Sequence, residues 1–182
     1  MPSTMVDPVI ARTLAAAVSI VLFLAAGTKL RDRETFAAVV ENYRVLPRAL
    51  VAPFATVLPW IEIAAAITLL WSPVREFGAV AASALLVAFA AAIAVNVARG
   101  RTSIECGCGG GAEPRLSWAL VARNLVLGAA ALATLAEGPD RPFVAIDALT
   151  VAGGTAALVA LYHFTNLLLA NAPRLGGLRG HP

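Results

Sequence analysis

Charge is scarce in this sequence. Its 182 residues include 14 Lys and Arg and 11 Asp and Glu, so 14% are charged, where soluble domains carry about 25%. That is too little polar side chain to clothe a soluble domain. The net charge of +3 is small and confined to short connectors. It is no nucleic-acid footprint, and no nucleic-acid partner is expected. Cysteine is limited to Cys106 and Cys108, which excludes a disulfide framework. Histidine is limited to His163 and His181. Two thiolates supply half a zinc site, so metal binding ranks last among the uses of the cysteines and no metal is expected. No inverted repeat or pair of broken helices is present, as a secondary transporter would have. No Lys or Arg precedes the first apolar segment, and Asp7 and Arg12 interrupt its start. It reads as a retained helix and not as a signal peptide.

What remains is apolar: 59% hydrophobic residues and a mean hydropathy of +0.80. Five segments reach the roughly 20 residues a membrane helix needs: 9–28, 49–71, 77–98, 117–136 and 143–170. They predict an all-α, polytopic transmembrane bundle in one domain over 1–172, with a tail at 173–182. Membrane lipid is its expected surroundings. Pro59 is expected to kink the second span or mark an irregular turn. Gly153-Gly154 would permit a kink or a close helix contact in the last span.

The first connector has its own pattern. Phe36, Val39, Val40, Tyr43 and Leu46 recur at three- and four-residue steps. This predicts a short amphipathic helix, on the membrane surface or packed on the bundle, ending at Pro47. Lys29, Arg31, Arg33, Arg44, Arg48, Arg99, Arg101, Arg115, Arg174 and Arg179 fall on one side of a five-span topology. Only Arg12, Arg75 and Arg141 fall on the other. Basic residues stay inside, so the count predicts a bacterial-type inner-membrane protein with its N-terminus outside and its C-terminus cytoplasmic.

Chemistry is expected at Cys106-Gly107-Cys108-Gly109-Gly110-Gly111. Glycines permit a tight turn exposing both sulfurs. Arg99, Arg101, Arg115 and Arg123 supply the positive surroundings that favour thiolate. A Cys-x-Cys disulfide closes a small strained ring, which suits exchange better than stapling. Glu105 adjoins Cys106, so Cys108 is the expected attacking thiolate. His163 is either a proton partner for a thiol or an interfacial side chain. Glu62 lies mid-span, where a carboxylate is functional or paired. By depth, Arg12 is its better-matched partner and Arg123 the other. Asn96, Asn124 and Asp147 are expected to bond between helices.

Taken in order, Lys29-Leu30-Arg31-Asp32, Asn42-Tyr43-Arg44-Val45-Leu46-Pro47, Leu58-Pro59-Trp60-Ile61-Glu62, Asn96–Arg101, Cys106-Gly107-Cys108, Leu116-Ser117-Trp118 and Arg123-Asn124 resemble the methylamine utilisation protein MauE family. The likeness covers roughly residues 10–135. Where the family has an aromatic residue after the second cysteine, this chain has Gly109. The resemblance implies a DoxX-like four-helix core, to which the last span adds a fifth helix. It also implies maturation of an exported, disulfide-rich redox protein alongside a thioredoxin-like partner. Three classes stay open: a membrane thiol–disulfide oxidoreductase component, with quinone as a candidate second carrier; a non-catalytic assembly scaffold; and a small-molecule transporter using Glu62 and Asp147.

Overall fold

The computed structural model describes residues 5–104, 114–138 and 142–178, with only the backbone over 172–178. Cys106, Cys108 and the glycine turn between and after them lie outside the described residues, as do Glu105, Arg141, Arg179 and His181. Six α-helices account for nearly all of the rest: α1 (Pro8–Arg31), α2 (Arg33–Tyr43), α3 (Arg48–Leu70), α4 (Arg75–Ala98), α5 (Trp118–Ala133) and α6 (Ala145–Leu178). All but α2 are long and apolar enough to cross a membrane. Among the described residues the β-structure is one isolated bridge, Val6 to Glu137.

Local signals explain the boundaries. Asp7 accepts a hydrogen bond from the Val9 N–H (2.8 Å), with Pro8 at the first helical position, a pairing that starts helices well. Asp32 serves two helices. Its N–H closes α1 on the Thr28 carbonyl (3.1 Å), and its carboxylate accepts from the Thr35 N–H (3.0 Å), capping α2. α2 stops where Arg44 turns left-handed (φ 47°), and Pro47 opens α3. α3 runs unbroken through Pro53 and Pro59, so the turn expected at Pro59 is absent. α6 is likewise continuous through Gly153-Gly154 and onward to Leu178, past the expected start of the tail.

The two hydrogen bonds from Thr35 hold the Asp32 carboxyl below its usual range. The sign follows. The cap contributes fully above the ordinary aspartate pKa and is lost as pH falls through the lowered one. Exchange of the Thr35 amide should therefore accelerate in acid in the parent but be nearly flat over that range in Asp32→Asn.

α1, α3, α4 and α5 form the core bundle. α3 and α5 flank α1, α4 closes the ring between them, and α6 lies outside against α1. The core is built of small residues, Ala15, Ala65, Ala66, Ala79, Ala82 and Ala131, around Val18, Leu22, Leu69 and Leu86. Small side chains let membrane helices approach closely, which is where their association energy comes from. Gly78 takes this furthest: a Cβ built there would stand 2.2 Å from the Leu69 backbone nitrogen. Gly154 brings α6 onto α1 in the same way, its virtual Cβ 2.9 Å from Thr13 Cγ2. α2 turns Phe36, Ala37 and Val40 onto Ala55 and Leu58 of α3 and Leu85 and Phe89 of α4. The apolar face expected of this amphipathic helix is the one packed on the bundle.

Candidate functional site: a buried ion pair between two spans

The register of α1 against α3 is pinned by the Ser19 hydroxyl, which donates to the Ala66 carbonyl (3.0 Å). From that level Lys29 lies ten residues along α1, about 15 Å, and Glu62 four residues back along α3, about 6 Å. The side chains close the difference of about 9 Å. Cα–Cβ bonds tilt toward a helix's N-terminus, so in this antiparallel pair the two side chains lean toward each other. The Lys29 ammonium donates to Glu62 Oε1. The pair is 4% and 0% exposed. The rings of Phe36 and Phe89 face the ammonium at 5.4 and 5.1 Å, a cation–π distance. Glu62 Oε2 is buried and finds no hydrogen-bond partner among the described residues.

Glu62 is therefore paired, as a mid-span carboxylate must be, but with neither expected arginine. Arg12 instead sits at the opposite end of the bundle. Its Nε is 3.9 Å from Glu137 Oε1, its guanidinium lies 4.8 Å from the Phe143 ring centroid, and Arg75 joins the same carboxylate. Arg123 binds Asn166 of α6 and lies 5.2 Å from the Tyr162 ring centroid. Depth along the backbone misassigned the partner because it ignored the lean of two long side chains. Lys29 was missed because it was counted with the connector, whereas α1 carries it into the bundle.

Asn96, Asn124 and Asp147 each make a hydrogen bond within their own segment. Asn96 donates to its own helix at Ala92 (3.0 Å) and accepts from Arg101 (3.2 Å). Asn124 accepts from its neighbour Arg123 (3.4 Å). Asp147 accepts from the Val144 N–H (3.0 Å) at the start of its own helix. The interhelical bonds expected of Asn96 and Asn124 are made instead by Ser19, Lys29 and Arg123.

The approach to the cysteines is well built. Gly100 adopts φ +73°, which an L-residue resists. Its N–H meets the Val97 carbonyl (2.9 Å) and the Arg101 N–H meets the Asn96 carbonyl (2.9 Å). This double closure ends α4 and reverses the chain. Arg101 then reaches across to the Tyr43 carbonyl (3.4 Å), tying the end of α2 to the connector. The Leu116 N–H donates to the Ile104 carbonyl (3.1 Å), closing a neck between the two arms. Ile93, Leu116 and Leu120 are buried under that neck with Tyr43, Val97 and Ile104 packed around them. Cys106 and Cys108 occupy the segment between the two sides of the neck. Arg99 and Arg115 are exposed on either side of it. His163 is exposed in a groove between α1 and α6 beside Ile20 and Val159, its ring edge-on to Tyr162 at 5.8 Å.

A cavity of about 310 Å³ lies between α2, α3 and α4. Its walls are apolar except at Lys29 and Tyr43, and Tyr43 and Ile93 belong both to these walls and to the packing beneath the neck.

These features define a multi-pass helical membrane protein: a four-helix core holding a buried ion pair, with α4 and α5 joined by a connector whose sequence carries both cysteines. The family model for methylamine utilisation protein MauE matches residues 7–136, which run from the cap of α1 to the end of the 3-10 turn after α5. The chain is 41% identical over 179 residues to the methylamine utilization protein MauE of Paracoccus denitrificans, covering 98% of this chain and 93% of that one. It is 38% identical to the protein of the same name from Methylophilus methylotrophus (95% and 92% covered) and 39% identical to that of Methylorubrum extorquens (95% and 90%). The chain belongs to the MauE family. No solved structure matches it.

Proposed function

We propose that this protein is a membrane accessory of methylamine utilisation that works by thiol–disulfide exchange. Cys106 and Cys108 trade a disulfide with a thioredoxin-like partner and so support maturation of an exported redox protein. The supporting observation is the neck between Ile104 and Leu116, held down on Tyr43 and Ile93. It fixes Ile104 and Leu116, the described residues on either side of the segment whose sequence carries both cysteines. Arg99, Arg101 and Arg115 flank that segment, and guanidinium groups favour the thiolate needed for attack. Exchange needs two sulfurs close in sequence, a chain able to turn between them, and an exposed setting. The family membership supplies the methylamine context, since the relatives bear that name.

In this reading the protein sits in the inner membrane with its N-terminus outside. Moving Lys29 from the connector into the bundle leaves the basic residues still strongly biased to the side of Arg31, Arg99 and Arg115. The cysteines then face the cytoplasm, and reducing equivalents must cross the bundle to serve an exported client.

A Cys106→Ser/Cys108→Ser chain should reach the membrane at the parental level. Its client should lose correct disulfides, and the partner's redox state should shift at least severalfold by thiol trapping. An active client with the partner's redox state unchanged and complexes retained would favour the assembly-scaffold reading instead.

A further inference from the structure

The cavity between α2, α3 and α4 is lined by Lys29 and, apart from the Tyr43 phenol, by apolar side chains. We propose that it is a binding site for a neutral, lipid-soluble carbonyl compound of the quinone class. Lys29 would be the hydrogen-bond donor to one carbonyl oxygen, and Phe36 and Phe89 the walls for the ring.

The volume of about 310 Å³ lies at the lower end of the 300–1,000 Å³ usual for small-molecule sites. The ammonium has three N–H groups. One goes to Glu62 Oε1, and among the described residues the other contacts of the ammonium are the ring faces of Phe89 and Phe36 at 5.1 and 5.4 Å. A carbonyl oxygen is a better acceptor than a ring face. Net charge selects the head group. Glu62 already neutralises Lys29, so an anionic phosphate would leave the buried site with an unmatched negative charge, which is costly. A neutral carbonyl keeps the balance. A bare acyl chain would leave the donor unused. The mouth carries Val45 and Phe54, 50% and 39% exposed, an apolar exit for a tail. Tyr43 and Ile93 join the chamber to the packing under the cysteine neck.

The site itself does not depend on the thiol reading; the electron step does. In that step Cys106 and Cys108 give up two S–H hydrogens and form one S–S bond. The quinone takes up those two electrons and two protons, and its two C=O groups become C–OH. The disulfide then oxidises the dithiol of the thioredoxin-like partner, so a net pair of electrons passes from partner to quinone.

The test uses the full chain in phosphatidylcholine nanodiscs and a decyl-substituted azidobenzoquinone photoprobe, with labelled residues located by mass spectrometry. Labelling should fall on α2 and α4 near Tyr43 and Phe89, and excess decylbenzoquinone should suppress it. Ala92→Phe fills the chamber without touching the ion pair, and should weaken binding at least about tenfold. Lys29→Met/Glu62→Gln removes the donor while keeping charge balance. It should weaken binding by about ten- to a hundredfold, the range of one hydrogen bond to a charged group. The Cys106→Ser/Cys108→Ser chain should bind like the parent. Binding by that chain without partner turnover in the parent would sink the thiol reading and leave the site standing. Labelling scattered over lipid-facing helix surfaces, or displaced by phosphatidylglycerol and not by decylbenzoquinone, would overturn the site. So would parental affinity in both filled and donor-free variants.

Discussion

Lys29→Met should all but remove the protein from the membrane, and Lys29→Met/Glu62→Gln should bring it back. Breaking a buried pair by removing one partner costs about 3–5 kcal/mol, because the other charge is left unmatched. Here the stranded group would be Glu62, fully buried and held only through Oε1. Few membrane domains can absorb such a loss out of a total of about 5–15 kcal/mol. Met keeps the length of the lysine stem between Phe36 and Phe89, so the loss would report charge and not packing. The double variant leaves a neutral amide facing a thioether, which is tolerable in a low-dielectric setting. Abundance in membranes and the denaturation midpoint in mixed micelles measure this directly. Restoration by replacing Arg12 or Arg123 instead of Glu62 would contradict the pairing.

Gly78→Ala should be nearly as damaging for a different reason. The added methyl would meet the Leu69 nitrogen at 2.2 Å and the Leu69 Cα at 2.5 Å. Both obstacles are backbone, so no rotamer change relieves the clash and α3 and α4 must separate. Overpacking costs about 1–3 kcal/mol when side chains can give way, and this site belongs at or above the upper end. Gly153→Ala is the control. A Cβ there meets nothing within 4 Å, and alanine is the better helix former by about 0.8–1 kcal/mol. Denaturation midpoints should fall sharply for the first and hold or rise for the second. Equal midpoints would mean that the α3–α4 hairpin is looser than its packing indicates.

Much of the architecture was legible because its signal is strong. Lipid cannot satisfy a backbone, so a span must be a helix, and about 20 apolar residues announce one. α2 showed itself through the three-four spacing of Phe36, Val40 and Tyr43. The cost of a mid-span carboxylate likewise marked Glu62. Its partner was hidden, although a trace of it is present. Leu22, Ala26 and Lys29 continue one buried stripe at helical spacing, and that stripe would have taken Lys29 into the core. Asn96 misled because an amide can bond the carbonyl four residues back in its own helix as readily as a neighbouring helix. The closure at Gly100 is the local helix-ending glycine pattern, whereas the Leu116 N–H to Ile104 carbonyl bond joins the two sides of the cysteine segment and has no local signature.

The central claim is that Cys106 and Cys108 are an exchanging pair on the side of the membrane that holds the Lys29 end of α1. The most direct measurement is labelling of single-cysteine and parental chains with a membrane-impermeant maleimide, added from each side in turn, before and after reduction, in cells with and without the thioredoxin-like partner. The account predicts labelling from the cytoplasmic side only. It also predicts a substantial oxidised fraction in the parent that changes severalfold when the partner is absent. Labelling from outside alone would reverse the topology. Two thiols that stay reduced whether or not the partner is present would contradict the claim itself.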